Sequence, residues 1–149
     1  FLAMRWRPFV LAFLVAGQSS GCAEDVRVFT FDGVRPWQEI EWRGGLRHGG
    51  FREYWESGGL RREGQYVDGR LDGEWREFHP GGQLAALRLY RAGVRRGTWL
   101  EWYEDGQKRS AATWLDGDKD GSVTFWAQAG SVVERQRWEG GTRVEVSRP

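Results

Sequence analysis

Cys22 is the only cysteine, so the chain holds no internal disulfide. Histidine is confined to His48 and His79 and lysine to Lys108 and Lys119, which leaves no clustered His/Cys set of the kind a zinc site needs. Four prolines are too few for a proline-rich linker. The formal charge is only +1, which gives no electrostatic basis for nucleic acid as a partner. No apolar run approaches the roughly 20 residues a membrane-spanning helix requires. No glycine-free window of about ten residues shows helical periodicity either. Glycine and aromatic residues are abundant instead. The chain has 22 glycines, where ordinary usage of about 7% would give roughly ten. It has 10 tryptophans, and 15% of its 149 residues are aromatic, which excludes a disordered composition. The expected product is a glycine-punctuated, aromatic-cored β-protein.

Residues 1–21 read as a secretory signal peptide. Met4 is the expected start, Arg5 and Arg7 form a basic segment, and Phe9–Ala16 is an apolar run followed by Gly17, Ser19, Ser20 and Gly21. Cys22 then stands where a lipobox-like pattern places its acylated cysteine, with Gly21 fitting the cleavage groove and Ser19 departing from the usual aliphatic residue. The pattern implies export and a lipid anchor in a bacterial envelope. Ala23 after the cysteine favours the outer membrane over retention at the inner one. Without Arg5 and Arg7 the remainder carries 20 basic against 21 acidic side chains, so the exported part is close to neutral.

The dominant signal beyond the leader is a period of 24 residues. Glycine recurs at 45, 69, 93, 117 and 141, again at 49, 73, 97 and 121, and again at 58, 82, 106 and 130. Aromatic columns keep step: Trp42, Tyr66, Tyr90, Trp114 and Trp138; Phe51, Trp75 and Trp99; Tyr54, Phe78, Trp102 and Trp126. Each unit holds two β-favouring runs joined by turn residues, such as Pro80-Gly81-Gly82, Asp68-Gly69 and Asp116-Gly117. The fixed glycines are expected in hairpin loops that need positive φ. A hairpin of this length cannot bury an apolar face alone, so units must stack into an elongated, twisted antiparallel sheet.

The segment from Gly73 through Phe78, Pro80-Gly81-Gly82 and Gln83 to Tyr90 and Gly93 resembles a MORN repeat. Gly97-Thr98-Trp99-Leu100-Glu101-Trp102, with Asp105-Gly106-Gln107, is similar to the bacterial variant found in YwqK-like antitoxins. The resemblance covers residues 41–144, about four units, preceded by a degenerate half-unit within 22–40 that reaches from Val28 to Trp42 and followed by a tail at 145–149. It implies a binding scaffold without catalysis.

Nothing else in the sequence points to chemistry. Asp116-Gly117-Asp118-Lys119-Asp120-Gly121 looks like the start of a calcium loop, but its twelfth position is Ala127 and the repeat itself accounts for both glycines. Glu53, Glu77 and Glu101 form a column for which Arg52, Arg76 and other arginines are expected counter-ions. Both histidines are expected as solvated loop residues. No serine has a nucleophile-elbow setting. No cofactor, metal or catalytic residue is expected. The expected function is an exported, lipid-anchored repeat scaffold for a protein partner. Alternatives are an antitoxin-type protein that neutralises a toxin and a module for envelope glycan. The binding face is expected at Tyr54, Phe78, Trp102 and Trp126, and the membrane is reached only through the lipid.

Overall fold

The computed structural model describes residues 24–31 and 33–149; the expected leader and the Cys22 anchor lie outside the described residues. No helix occurs among the described residues. Twelve strands form one antiparallel sheet: β1 (Glu24–Thr30), β2 (Pro36–Arg43), β3 (Leu46–Tyr54), β4 (Leu60–Val67), β5 (Arg70–Leu71), β6 (Gly73–Phe78), β7 (Leu84–Arg91), β8 (Val94–Trp102), β9 (Lys108–Leu115), β10 (Asp118–Trp126), β11 (Val132–Glu139) and β12 (Thr142–Ser147). Sequence neighbours are sheet neighbours throughout, and β5 and β6 act as one interrupted strand against β4. Where a degenerate half-unit is expected, β1 and β2 form a full hairpin, in register from Glu24↔Arg43 to Phe29↔Gln38. At the other end β12 runs to Ser147, into the segment expected to be a tail.

Two glycine series do different work. Tight turns place positive φ at both central residues, as at Asp68 (48°) and Gly69 (80°), the geometry of a type I′ hairpin whose twist matches the strands. The series at 49, 73, 97 and 121 lies inside strands rather than in loops. Gly97, for example, has φ 66°, and the register slips beside it between Leu87 and Leu89. These are β-bulges, where positive φ absorbs the two extra residues of the slip and sharpens the twist. The third series closes longer loops in which Gly82 N–H donates to the His79 carbonyl at 2.8 Å.

Units are clasped to one another at both ends. On the tight-turn edge, Gly69, Gly93, Gly117 and Gly141 each donate their N–H to a carbonyl on the strand that follows the preceding turn, as Gly93 does to Leu71 at 2.7 Å and Gly117 to Arg95 at 3.0 Å. On the other edge, His79 Nε2 donates to the Trp102 carbonyl at 3.0 Å and Tyr103 Oη to that of Trp126 at 2.9 Å.

The described sheet has a single layer, so its apolar side chains bury one another laterally. Ile40, Phe51 and Trp75 form the densest cluster, with Phe51 stacked on Trp75 at 4.9 Å and Tyr66 edge-on to both rings. Burial of a ring such as Phe51 contributes roughly 1.5–3 kcal/mol. Beside this cluster Glu53, only 5% exposed, is held by Arg62 at 2.8 Å to both oxygens and by Arg61 at 2.8 Å. A carboxylate this deep needs such partners to offset its lost hydration.

Candidate binding surface

The strongest recurring surface feature begins with a cross-strand pair. Trp42, Tyr66, Tyr90, Trp114 and Trp138 close the second strands of five hairpins. Opposite them on the following strands stand Arg47, Leu71, Arg95, Lys119 and Arg143. Strand alternation puts all ten on the face that carries Phe51 and Trp75. The result is an alternating aromatic–cation ladder along the tight-turn edge, with Leu71 as its one uncharged rung among the cation positions.

Three of the four cations, Arg47, Arg95 and Lys119, lie over the rings. The Arg47 guanidinium carbon is 5.9 Å from the Trp42 ring and 5.4 Å from Tyr66. That of Arg95 is 4.7 Å from Trp114 and 5.3 Å from Trp99. Lys119 Nζ is 4.5 Å from Trp138 and 5.7 Å from Trp114. Each such contact is worth about 0.5–1 kcal/mol at an exposed site and orders a long side chain. The rings are fixed in turn: Trp99 packs against Trp114 with ring centroids 4.9 Å apart and planes tilted by 38°, and donates its indole N–H to the Leu89 carbonyl at 3.1 Å. Burial pushes the Tyr90 phenol above its ordinary value, with Arg88 and Arg95 pulling it back, so this rung is neutral and apolar at physiological pH. Among the described residues, Arg47, Arg95, Lys119 and Arg143 form no ion pair with a carboxylate. Arg88 on the same face differs, since it is paired with Glu77 and, at 3.4 Å, with Glu101.

The expected rings are placed elsewhere. Tyr54, Phe78, Trp102 and Trp126 end β3, β6, β8 and β10, each one residue past a register shift, and all four are half-buried. Tyr54 lies on the opposite face, where its hydroxyl donates to Glu39 at 3.2 Å; burial and that carboxylate together push its phenol up. This second face carries a cleft of about 480 Å³ whose lining includes Glu39, Glu41, Arg52, Glu63, Glu74 and Arg76. Its two arginines are taken up by carboxylates. Arg76 binds Glu63 and Glu74, Arg52 approaches Glu39 at 3.9 Å, and Glu41 accepts the Gly50 N–H at 2.8 Å.

Arg52 and Arg76 therefore do not serve the Glu53–Glu77–Glu101 column. As strand neighbours of Glu53 and Glu77 they point to the other face. Neither histidine is a solvated loop residue. His48 sits in β3, 3.1 Å from both Asp68 and Arg43, and half-buried His79 makes the inter-unit clasp described above. In the calcium-like stretch, Asp116 and Gly117 form a tight turn, Lys119 joins the ladder and Asp120 accepts the Gly140 N–H at 3.1 Å. Among the described residues, no three His, Cys, Asp or Glu side chains gather as a metal site. The cation column was missed because glycine and aromatic positions were followed. The same 24-residue period marks it at 47, 95, 119 and 143.

Three consecutive segments, 47–68, 71–92 and 95–116, match the family model of the MORN repeat variant. These three segments are similar to MORN repeats. Each matched segment spans two strands, the longer loop between them and the first residues of the next tight turn, which is the stacking unit of the sheet. The MORN-like geometry extends past the matched residues, since β10 and β11 carry the same bulge at Gly121 and the same loop glycine at Gly130, both with positive φ. MORN repeats are commonly non-catalytic repeat or binding modules. No curated protein matches the chain.

Proposed function

We propose that this chain is a non-catalytic scaffold, exported and held at a bacterial envelope membrane by a lipid on Cys22, which binds a protein partner along the aromatic–cation ladder. One observation carries the reading: Arg47, Arg95 and Lys119 are pre-ordered over aromatic rings and have no carboxylate of their own. Ordered arginine and aromatic side chains are the residue types that dominate protein interfaces. Cations already fixed in place lose little further freedom on binding. The cleft on the second face lacks this character, because its arginines are already paired with carboxylates.

The test is capture of envelope proteins from the source cell by the full chain, beside an Arg95→Glu, Lys119→Glu double variant. The proposal expects one stoichiometric polypeptide retained by the parent and lost from the double variant. Equal retention by both, or none by either, overturns it. If the retained polypeptide is a toxin, the scaffold acts as an antitoxin or immunity protein.

A further inference from the structure

We infer that the ladder is a track for an extended acidic peptide in polyproline-II conformation, with an acidic side chain at every third residue. This rests on the partner-binding reading above and names the chemistry of the partner. Charge complementarity selects an anion, because the rung cations Arg47, Arg95, Lys119 and Arg143 form no ion pair with a carboxylate among the described residues, Arg143 acting on Glu134 only at longer range.

The spacing selects the peptide. Equivalent residues of consecutive hairpins are two strands apart, which at 4.7–4.9 Å per strand is about 9.4–9.8 Å. A polyproline-II helix has three residues per turn and rises 3.1 Å per residue, so it repeats every ~9.3 Å with the same side facing the surface. Arg143, Lys119 and Arg95 occupy three consecutive hairpins and match acidic residues at i, i+3 and i+6 in that order. Leu71 then meets an uncharged residue at i+9, and Arg47 an acid at i+12. Between the cations, indole and phenol faces offer the stacking surfaces on which proline-rich segments dock. Sheet twist of roughly 20–25° per strand fans the row, which a single extended chain can follow and a rigid duplex cannot. A nucleic-acid strand carries a charge on every nucleotide, a denser pattern than one cation per hairpin.

The experiment titrates the full chain with fluorescent (Pro-Pro-Glu)5, with a peptide of the same composition whose five glutamates are contiguous, and with (Pro-Pro-Gln)5. The inference expects (Pro-Pro-Glu)5 to bind at least tenfold more tightly than either control. Arg95→Glu with Lys119→Glu should weaken that binding at least tenfold while leaving the β-sheet circular dichroism unchanged, and added salt should weaken it too. Equal binding of the spaced and contiguous peptides overturns the inference. So does tighter binding of oligothymidylate or of an acidic polysaccharide, either of which would reassign the track to another polyanion. If no peptide binds while the double variant still loses the cellular partner, this inference fails and the scaffold reading stands. If the double variant also keeps the partner, both fail.

Discussion

Gly64 shows how closely packed this single-layer sheet is at one residue. It lies opposite Phe51, and a Cβ built on it would stand 2.3 Å from Cε3 of Trp75. Trp75 cannot give way easily, being 8% exposed and stacked on Phe51. Gly64→Ala should therefore destabilise by about 1–3 kcal/mol through overpacking, despite alanine's better strand propensity. A fall of several degrees in the thermal midpoint is expected, and an unchanged or raised midpoint would refute this packing account. Nothing in the 24-residue pattern marked Gly64, because its equivalents are Arg88, Ala112 and Gln136. The need for a missing Cβ is set by a tryptophan on the next hairpin, and that contact exists only after folding. The arginine partners of Glu53 were legible in principle. Neighbours along a strand point to opposite faces, so Arg52 could have been set aside and Arg62, directly across the strand pair, chosen.

Within the hairpins, the tight turns give a second test. Positive φ recurs at both central positions, and the first is held by Gly44, Asp68, Ala92, Asp116 or Gly140. Ala92, at φ 50°, is the one side chain there with no polar group that could bond locally in a left-handed conformation. Asn tolerates this region, and Asn-Gly is a preferred type I′ pair. Ala92→Asn should stabilise the protein by about 1 kcal/mol, and Ala92→Val should destabilise it by at least as much, because a β-branched residue resists positive φ. Thermal denaturation of both variants checks this, and a midpoint ordering with Val above Asn would sink it. The backbone N–H of residue 92, which donates to Asp72 at 2.8 Å, is kept in every variant. Element type, strand pairing and tight turns were legible because period-two strands, turn dipeptides and fixed glycines agree. The bulges were not, since a glycine at positive φ leaves the same mark in a turn as in a strand. Only the pairing register separates the two.

At the scale of the whole molecule, every strand pairs only with its neighbours along the sheet, so stability should be close to a sum of unit and interface terms. Equivalent contacts link each hairpin to the next: Trp114↔Lys119 repeats Tyr90↔Arg95, and the turn bond from Gly117 to Arg95 repeats that from Gly93 to Leu71. This equivalence predicts that a complete unit can be excised. Removing residues 94–117 joins Gly93 to Asp118, keeps the type I′ turn at Ala92-Gly93 and brings β10 beside β7 where β8 stood. The shortened chain should fold, with the β-sheet circular dichroism of the parent and a lower thermal midpoint. Removing residues 94–105 deletes the same turn-to-strand segment but brings second-strand residues to a first-strand position, so bulge glycines, rings and cations fall out of step. That chain should lose the native spectrum. If both deletions fold, or neither does, the 24-residue hairpin is not the unit of stability. The excision also removes one rung, Arg95, and so separates folding from binding: a folded chain lacking 94–117 should hold its acidic partner more weakly than the parent, because one pre-ordered cation has gone.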